Sequence, residues 1–244
     1  MLSVKPWKLD ALVRLLLSIG ICVCSIGFLT GLARLLGGKA ILSDSSPFYL
    51  VLITSGLDGS ILAMIALFIH RERIRWPEAF GFKTAGLGRA LLLAVLVVVL
   101  FLPVGWCLQT ASMKALSLFR IATPEQEAVQ TIRSAGPGLS RLYLLLFTVF
   151  VAPPAEEMLF RGIIYPTIKQ SGFPRAALWG TSLLFAAIHL SPPIFLPLTA
   201  LALALTFLYE KTDNLLAPIF AHSAFNAANL LVLFAAEAVN RSSG

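Results

Sequence analysis

Long apolar runs alternate with short polar segments along the chain, and this spacing is typical of helices that cross a membrane several times. An α-helix rises about 1.5 Å per residue, so about 20 apolar residues cross the hydrocarbon of a bilayer. The pattern predicts an all-α, polytopic transmembrane helix bundle of about seven to eight spans. Seven candidate spans can be delimited: Leu12–Leu36, Phe48–Ile69, Leu91–Leu108, Leu139–Ile168, Ala176–Leu190, Ile194–Tyr209 and Leu215–Val239.

Residues 110–138 form the long segment that does not fit a span. The sequence Thr123-Pro124-Glu125-Gln126 has the pattern of a capping box with proline at the first helical position. Gly136-Pro137-Gly138 would end that polar helix, which we interpret as a solvated connector rather than a substrate lid. One integral membrane domain is therefore expected, with the N-terminal spans and the connector in residues 1–138 and the polar motifs in residues 139–244.

Composition indicates a membrane protein and argues against nucleic-acid binding. Of 244 residues, 58% are hydrophobic and 13% are charged, whereas soluble domains carry roughly 25% charged residues. The formal net charge of +7 is interpreted as cytoplasmic loops that fix orientation, and Trp7 and Trp76 are expected at the membrane interface. Cys22, Cys24 and Cys107 have no metal-binding spacing and are interpreted as small hydrophobic residues. Neither a cofactor nor a metal is predicted.

The basic loop of residues 70–89 predicts the orientation of the chain. Such a loop is expected in the cytoplasm, which also places the N-terminus there. Alternation of the spans then puts Lys169, Arg175 and the turn Glu210–Asn214 on the cytoplasmic side and Ser191–Pro193 on the opposite side. The N-terminal run starts with basic residues and lacks a cleavage site, so it is interpreted as a retained span. We expect an integral protein of a bacterial inner membrane.

Six polar side chains lie inside the apolar runs of the second half of the chain. A charged group at mid-membrane costs between ~2.5 and well over 10 kcal/mol, so such groups usually serve a function. Counting the helical rise from the nearest polar boundaries places Glu156, His189 and His222 at one level near the middle of the bilayer. We therefore expect one intramembrane active site. Its candidate residues are Glu156, Glu157, Arg161, His189, His222 and Asn226.

Helical spacing divides this set into an ion pair and a carboxylate without a partner. Glu157 and Arg161 are four residues apart with the acid first, so a same-face ion pair is expected. Pairing would neutralise both groups in a dry environment. Glu156 is turned about 100° away from Glu157 and has no obvious partner on its own helix. His222 and Asn226 are four residues apart and can reach the same point.

These residue types support hydrolysis of an amide or ester by activated water. A carboxylate beside a neutral imidazole can take a proton from water, and an imidazole N–H with an amide NH2 can stabilise an oxyanion. Ser182 and Ser223 lie nearby but not in a nucleophile-elbow motif. One glutamate and two histidines could instead bind zinc, although no His-Glu-x-x-His helix is present. Asp58, beside Gly56 and Gly59, is interpreted as a helix contact or a hydrated spot rather than a catalyst.

Three motifs, in this order, resemble those of the CPBP family. This family includes the type II CAAX prenyl proteases (Ras-converting enzyme) and bacteriocin-processing or self-immunity proteins. The resemblance covers about residues 140–235, and no motif position departs from the family pattern. The motifs are Glu156-Glu157-x-x-x-Arg161, Phe185-x-x-x-His189 and His222-x-x-x-Asn226, and the flanks Phe160-Arg161-Gly162 and Ala217-Pro218-Ile219 agree.

The resemblance implies an intramembrane glutamate protease built from several helices. By analogy, Glu156 is the general base that activates water, assisted by His189. His222 and Asn226 would stabilise the oxyanion. Glu157 and Arg161 would be supporting residues. The implied substrate is a membrane-associated or lipid-modified protein or peptide, cleaved near its C-terminal or membrane-proximal part.

Three other functions stay open at this point. The first is a zinc-dependent membrane metalloprotease that uses the same glutamate and histidines. The second is a non-catalytic bacteriocin-immunity or regulatory membrane protein. The third is a transporter, against which the sequence shows neither an inverted repeat nor a pair of matching broken helices.

Overall fold

The computed structural model describes residues 2–38, 46–121, 126–135 and 138–242. Within these residues it is 84% helical with no strands, which confirms the predicted all-α helix bundle. The helices of this part of the chain are α1 Leu9–Ala33, α2 Pro47–Arg71, α3 Trp76–Phe80, α4 Leu87–Leu118, α5 Glu127–Ser134, α6 Leu139–Phe150, α7 Ala152–Glu157, α8 Tyr165–Gln170, α9 Pro174–Ala187, α10 Pro192–Thr212 and α11 Leu216–Ser242, with π-helices at Arg34–Gly38 and Met158–Ile164.

Six helical segments among the described residues are long and apolar enough to cross a membrane. The remaining predicted span, Ala176–Leu190, is occupied by α9, which has 14 residues and ends at Ala187. The predicted boundary was wrong by three residues, and His189 lies in the turn that follows the helix instead of on it. At about 1.5 Å per residue, α9 is about 21 Å long, which is shorter than the hydrocarbon of a bilayer.

The predicted polar connector is a helix, α5, which packs against the bundle. Arg133 Nε lies 2.7 Å from Glu237 Oε1 on α11, and Arg141 of α6 pairs with the same carboxylate at 3.4 Å. Ile132 is buried in a small cluster with Leu50 and Leu144. The connector is therefore attached at both its charged and its apolar face. Residues 123–125 of its predicted capping box and residues 136–137 of its predicted terminator lie outside the described residues, and Gln126, the last residue of the box, is the non-helical residue before α5.

The double proline interrupts the fourth span as the sequence predicts. Helix α6 ends at Phe150, and Val151 takes a distorted conformation (φ −110°, ψ −50°) before α7 begins. Pro153 and Pro154 then lie in the first turn of α7. Backbone N–H groups in a first turn have no acceptor within the helix, so the absence of N–H in proline costs no hydrogen bond there. The span is not a straight helix, and Glu156 follows its break by one turn.

The segments that the predicted alternation of spans assigns to one side of the membrane lie together at one end of the bundle. Lys5 Nζ and Lys83 Nζ each lie 2.9 Å from the carboxylate of Asp213, in the turn between α10 and α11. Glu210 accepts a hydrogen bond from Tyr165 (2.6 Å) and pairs with Lys169. We call this region, which comprises residues 2–8, 71–83, 165–175 and 210–214, the polar end. The predicted grouping is found in the structure, whereas the identity of the side stays a prediction.

The loop after α3 is fixed to the turn that contains Asp213. The backbone N–H of Leu215 donates to Phe80 O at 3.1 Å, and Asn214 Nδ2 donates to Lys83 O at 2.9 Å. Gly81 has φ +70°, and a Cβ atom there would overlap the carbonyl oxygen of Asp213. Glycine is therefore required by both the conformation and the close approach.

The ionisation of Asp213 is coupled to the stability of the fold. Partial burial alone would raise the pKa of Asp213, but hydrogen bonds from Lys5, Lys83 and Ser3 outweigh it and hold this pKa well below its usual range. Because this pKa is lower in the folded state, ionised Asp213 stabilises the fold at pH values above its unfolded-state pKa of about 3.9. That contribution is lost as the pH falls further toward the folded-state value.

We predict that Asp213→Asn lowers the free energy of unfolding by ~1.5–3 kcal/mol, the usual worth of hydrogen bonds to a charged group. Thermal or denaturant unfolding in detergent measures this loss. The control is Asp10→Asn, which removes an exposed ion pair with Arg14 and should cost at most about 0.5 kcal/mol. The difference in unfolding free energy between wild type and Asp213→Asn should stay constant from pH 7 to pH 4 and narrow below pH 4. A difference that widens on acidification would contradict the assignment.

Candidate functional site

The site is built on a buried ion pair within the interrupted fourth span. Arg161 Nη1 donates to Glu157 Oε1 at 2.9 Å, and the two side chains are 2% and 0% exposed. The predicted pairing of these residues is confirmed. Glu157 ends α7 and Arg161 lies in the following π-helix, a type of local widening that is frequent at functional sites. Neither charge would be tolerable in this position without the other.

His222 on α11 joins this pair, a contact that the sequence did not predict. Its Nδ1 lies 2.9 Å from Glu157 Oε1, the same oxygen that accepts from Arg161. An ionised carboxylate only accepts hydrogen bonds, so Nδ1 carries the hydrogen. The other ring nitrogen, Nε2, lies 3.9 Å from Glu156 Oε2. Glu157 therefore orients an imidazole whose free edge faces Glu156.

Glu156 is the carboxylate of the site without a hydrogen bond. Its Oε2 atom is buried and has no hydrogen-bond partner within the part of the chain that the structure describes. The side chain as a whole is 19% exposed, so it is not sealed from its surroundings. The charges of His222, Asp58, Glu157 and Arg161 act on it. The sequence-based expectation of an acid turned away from the ion pair agrees with this geometry.

His189 lies in the turn after α9 and points its ring into the same region. Its Nδ1 is 2.7 Å from the carbonyl oxygen of Phe185, and because a carbonyl only accepts, Nδ1 carries the hydrogen and Nε2 is left with a lone pair. Arg161 and His222 act on it electrostatically. No hydrogen bond or ion pair joins His189 to Glu156 among the described residues, and the imidazole paired with Glu156 is His222.

Phe185 is the apolar centre around which these groups are arranged. It is fully buried, and its ring lies 5.0 Å from the His189 ring and 5.9 Å from the His222 ring, between centroids. The guanidinium carbon of Arg161 lies 4.4 Å from the same centroid, a cation–π distance. The phenylalanine of the Phe-x-x-x-His motif thus positions both histidines and covers the arginine.

Asn226 lies one helical turn beyond His222 and contacts the interrupted span. Its Nδ2 donates to the carbonyl oxygen of Thr148 at 3.0 Å, near the C-terminal end of α6. An amide group has two N–H donors, so one remains for another acceptor. The structure therefore gives Asn226 a structural contact in addition to its predicted oxyanion role.

Asp58 on α2 belongs to the surroundings of the site. It is 8% exposed, its helix packs against α7, and it is among the charges that act on Glu156. The sequence placed it as a helix contact or hydrated spot because no motif contains it. Only the packing of α2 against α7 brings it close, and the flanking Gly56 and Gly59 give no signal of that contact.

Gly162 connects the site to the polar end. Trp7 Nε1 donates to the carbonyl oxygen of Gly162 at 2.6 Å, and a Cβ atom on Gly162 would lie 2.6 Å from Phe80 Cε1. Trp7 is 7% exposed, so its indole packs inside the protein, and its interfacial position stays a prediction. Trp76 is 40% exposed. Sequence analysis did not predict this support of Gly162, because it comes from residues 7 and 80, which lie outside the motifs.

The motif-bearing region is similar to one protein family and to two curated proteins. Residues 138–228 match the family model described as "Type II CAAX prenyl endopeptidase Rce1-like". "Uncharacterized protein YpbD" of Bacillus subtilis is 36% identical over 87 residues, which are 34% of this chain and 42% of that protein. "Putative membrane peptidase YdiL" of the same organism is 32% identical over 84 residues, 34% of each chain. The matched region thus spans less than half the length of these relatives, and no solved structure matches the chain.

We predict that Gly162→Ala destabilises the protein by about 1–3 kcal/mol, the usual cost of overpacking a dense core. The added methyl group would displace the Phe80 ring from the π-helix. Gly180→Ala is the matched control, since a Cβ atom there meets nothing within 4 Å. Unfolding in detergent measures both variants, and equal stabilities would show that Phe80 can move away without cost.

Proposed function

We propose that this integral membrane protein is an intramembrane endopeptidase of the glutamate type, since residues 138–228 match the family model of Rce1-like type II CAAX prenyl endopeptidases. The observation that carries the proposal is the contrast between the two adjacent acids. Glu157 accepts from Arg161 and His222 through Oε1, whereas Glu156 accepts no hydrogen bond from any described residue and its Oε2 atom is buried. A carboxylate held next to an imidazole and left unpaired is suited to act on water.

The proposed reaction begins with a water molecule bound between Glu156 and the scissile carbonyl. Glu156 takes a proton from this water, and the oxygen adds to the carbonyl carbon to form a tetrahedral oxyanion. The proton held by Glu156 then passes to the amide nitrogen, and the C–N bond breaks to give a carboxylic acid and an amine. His189, whose Nε2 has a lone pair facing away from its bond to Phe185, assists as a second acceptor for the proton of the water.

Stabilisation of the oxyanion is assigned to His222 and Asn226. Asn226 has one N–H left after its bond to Thr148. His222 uses Nδ1–H on Glu157, so it can donate to an oxyanion only through Nε2 when both ring nitrogens carry hydrogen. The 3.9 Å separation of Nε2 from Glu156 Oε2 would allow the proton taken from water to be shared with this nitrogen while the oxyanion exists, and to return to Glu156 before it passes to the amide nitrogen. Fixed donors at a developing charge are usually the largest catalytic contribution.

The proposed substrate is a membrane-associated or lipid-modified protein or peptide, cut near its C-terminal or membrane-proximal part. A buried site with an apolar wall such as Phe185 favours a chain segment that is itself in or near the bilayer. We also propose that the polar end faces the cytoplasm of a bacterial cell, which places the N-terminus there. In support, the basic loop and the basic N-terminal segment meet at that end, as the positive-inside rule requires.

We predict that Glu156→Gln lowers peptide cleavage by at least about 100-fold, the lower range of what a general base supplies. The isosteric amide keeps the shape and removes the proton acceptor. Glu72→Gln is the control, because Glu72 makes only an exposed ion pair with Arg14 at the polar end. Terminal proteomics of cells that express either form measures cleavage across all membrane proteins at once, so no substrate has to be chosen beforehand.

The same comparison separates the proposal from its alternatives. Protein termini that depend on wild type and disappear with Glu156→Gln would name the substrates. If wild type and Glu156→Gln gave the same termini and also protected cells equally from a bacteriocin, a non-catalytic immunity protein would be indicated. Full activity after chelation, with no metal detected by elemental analysis, would exclude the zinc mechanism, and activity restored only by zinc would replace the proposal with it.

A further inference from the structure

A cleft opens at the polar end, remote from the cluster around Glu156. It has a volume of about 510 Å³, within the range of sites that bind small molecules. One wall is the N-terminal segment, residues 3–6, and the other is formed by α3 and the loop that follows it, with Arg75, Gly81 and Lys83. Neither wall carries a residue of the proposed reaction.

Positive charge dominates this cleft. Lys5, Arg75 and Lys83 line it, with Glu78 as the acidic member of the lining. Lys5 and Lys83 share one carboxylate, Asp213, so their charges are only partly compensated. Arg75 is exposed and makes no ion pair with a described residue. Lys5 is 3% exposed and its ammonium group is held by Asp213, so the accessible cations are the half-exposed Lys83 and the guanidinium of Arg75, which together are suited to a phosphate group.

The position of the cleft favours a lipid over a soluble anion. Its α3 wall follows directly on the end of α2, a candidate span, and begins with the exposed Trp76, a residue type enriched at membrane interfaces. Arg71 and Arg73 lie just ahead of it in the chain. Clusters of basic residues adjoining a span are attracted to anionic lipids. We propose that the cleft binds the phosphate headgroup of an anionic phospholipid.

Both walls of the cleft continue into the support of the π-helix. Residues 3–6 lead directly to Trp7, which binds the carbonyl oxygen of Gly162. Helix α3 ends in Phe80, which packs on the same glycine. A headgroup held by Arg75 and Lys83 against residues 3–6 would hold the two walls together and so keep the segment around Arg161 in place. This link to activity rests on the proposed function, whereas the binding site itself does not.

The test is lipid retention by the full chain purified in detergent. Native mass spectrometry during titration with phosphatidylglycerol or phosphatidylcholine should show preferential binding of the anionic lipid. Arg75→Gln with Lys83→Gln should weaken that binding at least ten-fold. The matched control, Arg175→Gln with Lys211→Gln, removes the same charge at the same end outside the cleft and should change it less than two-fold. Arg75→Gln alone, which breaks no ion pair, should still weaken it several-fold if the double variant unfolds.

Several outcomes would overturn the proposal. An equal loss of lipid binding in the cleft variant and in the control would mean that the whole polar end attracts anionic lipid and that no specific site exists. Equal binding of the two lipids would remove the role of charge. Displacement of the lipid by millimolar inorganic phosphate or glycerol phosphate would identify a site for a soluble anion. These readouts do not involve cleavage, so they stay informative even if Glu156→Gln proves as active as wild type.

Discussion

A single carboxylate oxygen, Oε1 of Glu157, holds the motif-bearing half of the structure together. It accepts from Arg161 on the π-helix and from His222 on α11, and all three side chains are nearly inaccessible. Burying a guanidinium in an apolar bundle is costly unless it is paired. The pairing therefore fixes the relative position of two helices that are 65 residues apart in the chain. The acid next in sequence, Glu156, points away from this pair and accepts no hydrogen bond from the described residues.

The π-helix that carries Arg161 depends on residues from the opposite end of the chain. Trp7 binds its backbone, and Phe80 fills the space above Gly162. The first half of the chain contains no family motif, yet its aromatic residues support the helix that does. The described residues thus form one structural unit, in which the proposed chemistry and its support come from different parts of the sequence.

Hydrophobic pattern and helical spacing predicted the bundle, the broken fourth span and the Glu157–Arg161 pair. These features depend on contacts within one helix, where a separation of four residues has a fixed meaning. The bond between His222 and Glu157 and the burial of Trp7 depend on how helices pack, which periodicity does not report. The end of α9 at Ala187 was missed because Ile188 and Leu190 continue its apolar run. The π-helix has no distinct hydrophobic signal, since it adds about one residue to a turn whose side chains remain apolar.

The shortness of α9 has a consequence for the membrane itself. A helix of about 21 Å facing hydrocarbon of about 30 Å leaves ~9 Å of mismatch beside it. The exposed Ile188 and Leu190 keep that part of the chain attractive to lipid, so the bilayer is expected to thin locally and not to expose them to water. Headgroups and their hydration shell would then lie closer to His189 than the overall thickness of the membrane suggests. In this arrangement the membrane, as much as the protein, would bring water within reach of a buried site.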